Sequence, residues 1–468
     1  MGFVLVADAN AENLDSVVEN SVAFKRYPVV PYPRELIPVK GECSADVKPD
    51  FIRVPGIPAE GYELSISPGR VLVRASDAAG EFYARQTLLQ LSDGKTIPCC
   101  EIKDSPRFKW RGVMIDDVRH FLGKETVKRT IDEMARYKLN VFHWHLTDNN
   151  AWRIQVPGYP KITEKGDYYT KDDIREVVEY AAKRNIRIVP EVDFPGHFRK
   201  LSSTYPEFTC TTDNPRDKGR VPMCVGNPNA VKFVEAALDT VCDLFPESKV
   251  IHIGGDECWR YGWKKCEKCK AMMKREGIAD VKDLQSWITR HAVNYLAAKG
   301  RRAIGWDEML DAKEGYLPTS VMGMRWHQNG AERTARAALS GHEIVNCHKG
   351  FCYFDFSQEL EGDKHRYFKD KLYKLPLPFE KVYSFDPLAE LPEEARLKVV
   401  GGQCNNWTEV TYNGKDLEWK LWPRGLAMAE VLWTYPDPQK RDFAEFKRRA
   451  AIHRDAMVAR GINAAPVN

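Results

Sequence analysis

Eight short apolar segments within residues 111–403 most strongly limit what this chain can fold into. Several are separated by stretches with a helical 3.6-residue apolar period, for example residues 124–137, 171–184 and 281–299. Strands alternating with helices predict a parallel sheet, and eight such units favour a closed (β/α)8 TIM barrel over an open sheet. The predicted strands are residues 111–116, 140–146, 186–192, 249–253, 302–306, 320–326, 343–347 and 399–403.

The first 105 residues predict a separate, small α/β domain. Two alternating polar and apolar stretches, beginning at Tyr62 and Arg70, flank a Ser-Pro-Gly turn and predict a β-hairpin. Residues 75–91 then predict an amphipathic helix. Prolines in the following linker mark a boundary, so we expect an accessory α/β domain at 1–105 and a catalytic barrel at 106–468.

Composition argues against several classes of protein. The 468 residues carry a formal net charge of +4 with basic and acidic residues interleaved, which does not suggest a nucleic-acid groove. No apolar run approaches the roughly 20 residues of a membrane-spanning helix. The apolar start at residues 3–7 is too short for a signal-peptide core. The sequence therefore does not fix the location of the protein: it would be periplasmic or extracellular if a signal peptide was removed, and otherwise cytoplasmic. Oligomeric state is not indicated.

Twelve cysteines permit disulfides but do not require them in a chain of this length. Cys266 and Cys269 have the spacing of a zinc knuckle, and Cys258 precedes them. Because no second pair has matching spacing, free or disulfide-bonded thiols are favoured, and a structural metal stays an alternative.

Polar and aromatic residues follow the predicted strands. In a β/α barrel the active site lies at the carboxyl ends of the strands, so these residues should surround one pocket that binds a polar ring on apolar walls and performs acid–base chemistry. They include Asp116, Asp117, Arg119, His120, His143, His145, Asp148, Asn149, Asn150, Glu191, Asp193, His197, Asp256, Glu257, Trp306, Asp307, Glu308, Trp326, His327, Asn405, Asn406, Trp407, Thr408 and Glu409.

The adjacent carboxylates Asp256 and Glu257 follow an apolar strand and two glycines. Successive side chains on a strand point in opposite directions, so the two residues cannot be copies of one function. A simpler alternative is a helix N-terminus that carries acidic residues because they interact favourably with its dipole.

A metal site is a further alternative. His143 and His145 share one face of a strand, and Asp148, Asp193 and His197 are also usable ligands. An Asp–Glu pair beside tryptophans needs no metal to cleave a glycoside, so we expect no metal and no cofactor.

Several longer motifs occur in a specific order. They are residues 110–121, His143-Trp-His-Leu-Thr-Asp148, Pro190-Glu-Val-Asp-Phe-Pro-Gly-His197, His252-Ile-Gly-Gly-Asp-Glu257 and, in the first domain, residues 60–64 and 80–88. Together they resemble the family 20 glycoside hydrolases, the β-N-acetylhexosaminidases, over nearly the whole chain. The resemblance implies exo-hydrolysis of terminal β-linked GlcNAc or GalNAc from an oligosaccharide or glycoconjugate, with net retention.

The resemblance also implies catalytic roles. Glu257 would be the general acid/base, and Asp256 would hold the N–H of the substrate's 2-acetamido group, whose carbonyl oxygen attacks the anomeric carbon to give an oxazolinium intermediate. His197 and Asp148 would support Glu257. Tyr353 would hydrogen-bond the acetamido carbonyl.

Further residues would bind the sugar. The resemblance implies that Arg111 grips the 3- and 4-hydroxyls, that three tryptophans enclose the acetamido methyl, and that two carboxylates hold the outer hydroxyls. These and a nearby aspartate are Arg111, Trp306, Trp326, Trp407, Asp355, Glu409 and Asp193.

The sequence departs from the family after Asp148, where Asn149 and Asn150 replace an acidic residue and a glutamine, and at residues 403–407. The Asn406-Trp-Thr sequon lies in the expected pocket, where a glycan would block substrate, so a bacterial enzyme is favoured over a glycosylated lysosomal one. Two alternatives stay open: a glycosidase for a disaccharide or sulfated GlcNAc unit, and an inactive glycan-binding homologue.

Overall fold

The structure is a computed structural model that describes residues 26–210, 221–358, 376–434 and 441–467. It divides into two compact units. Among the described residues, one unit contains those up to Arg107 together with those of Trp433–Gly461 and Pro466–Asn468, and the other contains those of Phe108–Leu432 and Ile462–Ala465. The sequence placed all residues after 105 in the barrel, whereas the structure groups the segment 433–461 with the first unit.

The first unit is a mixed sheet with helices. Its described strands are β1 (Glu35–Ser44), β2 (Asp50–Arg53), β3 (Tyr62–Ser67), β4 (Arg70–Ala75) and β5 (Thr96–Asp104), with helix α1 (Ala78–Leu91) between β4 and β5. Their order in the sheet is β1-β5-β3-β4-β2. Strands β3 and β4 pair antiparallel, which confirms the predicted hairpin.

The C-terminal segment joins this unit through specific contacts. Trp433 donates from Nε1 to Asp104 Oδ1 at 2.8 Å, and its ring meets Tyr83 edge-on at 5.1 Å. Farther along, Arg449 donates to the carbonyl of Val29 at 2.8 Å. These partners are hundreds of residues apart, so sequence periodicity could not assign the segment to this unit.

The second unit is a closed barrel, which confirms the predicted fold class. In the part of the chain described, its strands are β6 (Trp110–Asp116), β7 (Val141–His145), β8 (Arg187–Glu191), β9 (Val250–His252), β10 (Arg302–Trp306), β11 (Met322–Arg325), β12 (Ile344–Asn346) and β13 (Val399–Asn406). Parallel pairing joins each strand to the next, and β13 pairs with β6 to close the barrel. Strand β13 continues three residues beyond the predicted 399–403.

Helices surround the barrel and pack their apolar faces on it. The described ones are α2 (Lys124–Arg136), α3 (Lys171–Ala182), α4 (Arg199–Thr204), α5 (Pro228–Leu244), α6 (Tyr261–Lys265), α7 (Glu267–Glu276), α8 (Val281–Ala298), α9 (Ala331–Leu339), α10 (Lys349–Cys352), α11 (Phe379–Tyr383), α12 (Glu393–Arg396), α13 (Gly414–Leu421) and α14 (Arg424–Trp433); α15 (Phe443–Ala459) lies in the first unit. Within the described ranges, none is long and apolar enough to cross a bilayer.

Local sequence explains where these elements begin. Thr170 and Asp173 form a reciprocal capping box at the start of α3, which satisfies backbone N–H groups that have no partner within the helix. All seven residues of β6 are buried, as expected for a strand covered on both faces. The carboxyl ends of the eight strands consequently meet at one rim of the barrel, where polar side chains can converge.

Candidate active site

A narrow cavity opens among the carboxyl ends of the barrel strands. Its volume is about 100 Å³. It combines charged groups with aromatic rings, the mixture expected for a site that binds a sugar ring. The lining residues are Arg119, His197, Asp256, Glu257, Trp326, Lys349, Tyr353, Asp355, Phe356, Trp407 and Glu409.

Arg119 is the cationic centre of this cavity. It lies 3.3 Å from Asp116 and 2.8 Å from Asp148, with Glu409 at 3.8 Å, and its guanidinium sits 4.8 Å above the Trp407 ring. Burial would raise the pKa of Asp148, but the charges of Arg119 and then His197, with hydrogen bonds to His145 and His197, together outweigh burial and hold that pKa well below its usual range. Asp148 is therefore a fixed anion at neutral pH.

His197 connects this anion to the strand-β9 carboxylates. Its Nδ1 lies 3.1 Å from Asp148 Oδ1, and its Nε2 lies 3.3 Å from Asp256 Oδ2 and 3.8 Å from Glu257 Oε2. Burial would lower the pKa of His197, but Asp148 and then Asp256 raise it well above its usual value. The ring is an imidazolium that two carboxylates share.

The backbone is strained at two of these residues. His197 has φ 47° and Glu257 has φ 45°, in the left-handed region that costs a non-glycine residue about 1–3 kcal/mol. Such strain persists where the surrounding structure enforces it, and it is concentrated at functional sites. The turns after β8 and β9 therefore hold the imidazolium and the neighbouring carboxylate in fixed positions.

Asp193 lies beneath the turn after β9 and does not line the cavity. Its Oδ1 accepts from the N–H of Gly255 at 3.1 Å, and a Cβ on Gly254 (φ +64°) would come within 1.8 Å of the same oxygen. Burial and then Asp256 raise the pKa of Asp193 well above its usual range. Only glycine at 254 permits this approach, so Asp193 supports the turn that carries Asp256.

Asp256 and Glu257 face different surroundings. Asp256 is 8% exposed and lines the narrow cavity, and its Oδ1 has no hydrogen-bond partner among the described residues. The Glu257 side chain is 65% exposed. Divergence of the two adjacent side chains agrees with the expectation from the sequence and leaves an acceptor inside the cavity and a carboxylate at its mouth.

A wider cavity of about 440 Å³ adjoins the narrow one. Glu257 and His197 line both, so Glu257 stands on the wall between them. The wide cavity is lined by the segments after β8 and β9 and also by Asn149 after β7, Gln285 on α8, and two residues that follow β10. Its lining residues are Asn149, Gly196, His197, Val221, Pro222, Glu257, Cys258, Trp259, Arg260, Gln285, Glu308 and Asp311.

Aromatic rings form one side of the narrow cavity. Trp326 and Tyr353 stack with centroids 6.2 Å apart, and Trp407 lies 6.4 Å from Tyr353. Burial raises the pKa of Tyr353 well above its usual value, so its hydroxyl remains a neutral donor. Trp306 packs behind Trp407 at 5.7 Å and donates to Glu191 Oε1 at 2.9 Å, so it backs the aromatic wall without lining the cavity.

Two carboxylates close the other side. Burial and then the charge of Glu409 raise the pKa of Asp355 to about 7. Burial also raises the pKa of Glu409, although Arg119 opposes this. Asp355 Oδ1 is buried without a hydrogen-bond partner in the described part of the chain. A buried acceptor without a partner is costly unless a ligand supplies a donor, as a sugar hydroxyl does.

Four groups of described residues bring potential metal ligands together. His143 and His145 both lie beneath the cavity, where their rings contact Glu191, and His145 Nε2 also lies 2.9 Å from Asp148. Burial, followed by the charge of His252, lowers the pKa of His143 to about 4, so that ring is neutral. The groups are His143, Glu191 and His252; Asp148, Asp193 and His197; Asp307, Glu308 and His327; and Cys210, Cys224, Cys266 and Cys269.

Comparison with known proteins identifies the family of this chain. Residues 108–436 match the model of the glycosyl hydrolase family 20 catalytic domain, and residues 8–105 match glycosyl hydrolase family 20, domain 2. The chain belongs to glycosyl hydrolase family 20. The family catalytic domain contains all the cavity residues described above.

Relatives within family 20 show how much of their length is shared. The chain is 37% identical over 423 residues to a β-hexosaminidase of Porphyromonas gingivalis, covering 83% of this chain and 52% of that protein. It is 34% identical to a β-hexosaminidase of Vibrio furnissii, covering 80% of this chain and 65% of the relative. The chain thus spans about half to two thirds of the length of these two relatives.

A solved family 20 structure shares the fold. The exo-β-N-acetylglucosaminidase of Vibrio harveyi, in complex with N-acetylglucosamine, superposes with a TM-score of 0.85 at 28% identity. The match covers 94% of this chain and 78% of that one. The similarity therefore extends across nearly all of this family 20 chain.

The sequence assignment of Arg111 needs correction. Arg111 is the second residue of β6, at the end of the barrel opposite the cavity, and is fully buried. Its guanidinium donates to the carbonyls of Lys138 and Phe108, both at 2.8 Å. Arg119, three residues beyond the end of β6, occupies the cavity instead. The active site of a β/α barrel lies at the carboxyl ends of its strands, and the sequence analysis already placed Arg119 there. Position on the strand would therefore have selected Arg119 as the sugar-binding arginine.

Other cavity residues of this family 20 chain were given no role from the sequence. Lys349 and Phe356 line the narrow cavity, and Glu308 receives a hydrogen bond from Trp326 Nε1 at 3.0 Å. Asn149, a departure from the family pattern, lies 3.2 Å from His197 Nδ1 and so joins the polar network. Of these four residues, only Glu308 and Asn149 could be recognised from the sequence as residues that follow a predicted strand.

Proposed function

We propose that this chain is an exo-acting β-N-acetylhexosaminidase that removes terminal, non-reducing β-linked GlcNAc or GalNAc from an oligosaccharide or glycoconjugate. Family membership and the names of the relatives support this activity. The site supports it independently, because it joins aromatic walls for a sugar ring to carboxylates suited to acid–base chemistry.

The position of Glu257 between the two cavities carries the proposal. A terminal sugar in the narrow cavity and a leaving group in the wide cavity would place the glycosidic oxygen beside this carboxylate. A general acid must lie within hydrogen-bond reach of the oxygen that it protonates. Glu257, on the shared wall, is the exposed carboxylate that meets this requirement.

Asp256 and Tyr353 line the narrow cavity, where they would hold the substrate's acetamido group. Asp256 Oδ1 would accept from the acetamido N–H, and the Tyr353 hydroxyl would donate to the acetamido carbonyl. The carbonyl oxygen then attacks the anomeric carbon as Glu257 protonates the departing oxygen, giving an alcohol and an oxazolinium. Asp256 balances the positive charge that develops, so the protein needs no nucleophile of its own.

Water completes the reaction. Glu257, now a carboxylate, accepts a proton from a water molecule that attacks the anomeric carbon from the leaving-group side. The bond to the acetamido oxygen breaks, the acetamido group is restored and Glu257 is again protonated. Two inversions at one carbon give net retention.

The remaining charged groups support recognition of a terminal residue. Arg119, Asp355 and Glu409 close the narrow cavity and offer a donor and acceptors to the outer hydroxyls. Two carboxylates there disfavour a sulfated sugar, and occupation of the catalytic positions by Asp256 and Glu257 disfavours an inactive binding protein. Neither alternative is supported by a specific feature of the site.

Glu257→Gln tests the proposal. Loss of the acid should reduce kcat/KM for oligosaccharides about 10²–10⁴-fold. The loss should be smaller for an aryl β-N-acetylglucosaminide with a good leaving group, since that group departs without full protonation. Glu267→Gln is a matched control, because the Glu267 side chain is 85% exposed on α7. Unchanged hydrolysis by Glu257→Gln would refute the assignment.

A further inference from the structure

Four cysteine sulfurs meet beside the wide cavity. Cys210 and Cys224 lie in the segment after β8, whereas Cys266 and Cys269 lie at the start of α7, after β9. Cys210, Cys224 and Cys269 are buried, and Cys266 is partly buried. Each of the four Sγ atoms lies within 4.8 Å of the other three. The fold thus supplies the second cysteine pair that was not evident from sequence spacing.

Three of the six sulfur–sulfur distances are close to those of a tetrahedron around a single ion, and all six are within 4.8 Å. The Sγ–Sγ distances are 3.6 Å for Cys210–Cys269, 3.6 Å for Cys224–Cys266 and 3.9 Å for Cys224–Cys269. With Zn–S bonds of about 2.3 Å, tetrahedral geometry sets neighbouring sulfurs about 3.8 Å apart. We propose that these four cysteines bind one Zn²⁺ as a structural site.

The backbone around the first pair is built to present both sulfurs. Residues Thr209 and Met223 form an antiparallel bridge. The N–H of Cys210 donates to the Pro222 carbonyl at 3.2 Å, and that of Cys224 donates to the Phe208 carbonyl at 2.8 Å. This pairing fixes the two cysteines side by side although they are distant in sequence.

The second pair is fixed by close packing against the first. Gly226 lies so near α7 that a Cβ would come within 2.2 Å of the Lys268 carbonyl and 2.5 Å of the Cys269 nitrogen. Glycine is therefore required for this approach. Cys266 is the N-cap of α7, where the positive end of the helix dipole favours a thiolate.

Nearby charges suit the metal-bound state. Four thiolates and one Zn²⁺ leave a double negative charge. In sequence, the second cysteine pair is surrounded by one exposed glutamate, Glu267, which pairs with Lys270, and by four exposed lysines: Lys264, Lys265, Lys268 and Lys270.

Two disulfides are the main competing state. A disulfide requires an S–S distance of about 2.05 Å, so each pair at 3.6 Å would have to close by more than 1 Å. Cys269 lies close to both Cys210 and Cys224 rather than to one partner. Such sharing is expected for ligands of a common centre and not for two separate pairs.

The metal would join the two loops that border the wide cavity. The Met223 N–H donates to the Pro195 carbonyl at 3.0 Å, two residues before His197, and the Met223 carbonyl accepts from Trp263 Nε1 at 2.8 Å. Zinc would therefore fix the segment after β8 to the one after β9. This role does not depend on the proposed reaction.

Metal analysis of the full chain, produced with zinc available and purified under reducing conditions, tests the proposal. We expect about one zinc ion per chain, and X-ray absorption should show four sulfur neighbours at about 2.3 Å. Cys266→Ser should lose the zinc, whereas Cys242→Ser should keep it, because Cys242 lies on α5 outside the cluster. Zinc retained by Cys266→Ser, or nitrogen and oxygen neighbours in place of sulfur, would overturn the site.

A second measurement uses the wild-type chain and does not depend on folding of the variant. A mercurial thiol reagent should release one zinc ion as the four cysteine ligands react. Absence of metal with all thiols free overturns the proposal. One iron ion per chain in place of zinc would also overturn it. So would two disulfides, which would make the mass of the non-reduced chain four hydrogens lower than that of the reduced chain.

Discussion

The two cavities on either side of Glu257 are built in different ways. The narrow cavity is formed mainly by residues at strand ends and is held by ion pairs such as Arg119–Asp148. The wide cavity combines residues that follow strands with residues farther along the loops and on α8, such as Pro222, Trp259 and Gln285, beside the four-cysteine cluster. Changes in the narrow cavity should therefore affect every substrate, whereas changes in the wide cavity should depend on the leaving group.

Asp256→Asn should have the largest effect on the narrow side. Asparagine keeps the shape of the side chain but loses the charge that balances the oxazolinium. We expect kcat to fall about 10²–10³-fold, the usual cost of removing one preorganised electrostatic contact. Steady-state kinetics with an aryl and an oligosaccharide substrate should show similar losses, because the same sugar occupies the cavity in both. An unchanged kcat would show that Asp256 does not act on the transition state.

Arg119→Met should weaken binding of every substrate. Loss of charged hydrogen bonds worth about 1.5–3 kcal/mol corresponds to a rise in KM of about 10–100-fold. The variant should also be less stable, because buried Asp148 loses one of its cationic partners and keeps His197. Parallel measurement of KM and Tm separates the two effects.

Arg111→Met is the matched control for that variant. Arg111 is fully buried, whereas the Arg119 side chain is 11% exposed, and Arg111 bonds to backbone carbonyls at the other end of β6. Its loss should lower Tm and leave KM unchanged. A raised KM in Arg111→Met with a normal KM in Arg119→Met would reverse the assignment of the two arginines.

This pair of arginines shows what the sequence could and could not predict. Apolar periodicity was enough for the eight strands and the hairpin, because burial on a regular element leaves a regular pattern. Residues directly after strands, such as Asp256 and Trp407, were found because the barrel brings strand ends together. Arg111 was misplaced when motif resemblance was followed in place of position on the strand.

Other features depend on contacts between distant segments. Cys210 and Cys224 have no recognisable spacing to Cys266, and the fold alone brings the sulfurs together. Lys349 and Phe356 reach the narrow cavity from the segment after β12, where no strand or helix period places them. Long-range pairing of this kind leaves no local signal in one sequence.

Burial of charge in the narrow cavity should appear as a pH dependence of stability. The pKa of Asp355 rises from 3.8 to about 7 on folding, so between these values the folded chain binds more protons than the unfolded chain. The contribution of Asp355 to stability therefore falls as pH rises, by up to about 1.4 kcal/mol per unit, and levels off above about pH 7.

Asp355→Asn removes this proton uptake. The difference in unfolding free energy between variant and wild type should thus shift in favour of the variant as pH rises from about 5 to about 8. Urea unfolding at both pH values measures the shift. A difference that does not change with pH would mean that Asp355 ionises normally in the folded chain.

The smallest effect is expected on the wide side, at Trp259. This ring is 40% exposed and lines the wide cavity, where it can pack against a sugar of the leaving group. Aromatic packing contributes about 0.5–1.5 kcal/mol, so Trp259→Ala should lower kcat/KM for an oligosaccharide about 2–10-fold. A methyl β-N-acetylhexosaminide has a leaving group too small to reach the ring, so the variant should hydrolyse it as fast as the wild type does.

Tyr261→Ala is the control, because Tyr261 is 39% exposed and is not among the residues that line the two described cavities. Equal losses on both substrates would show that the two cavities do not divide the substrate at Glu257.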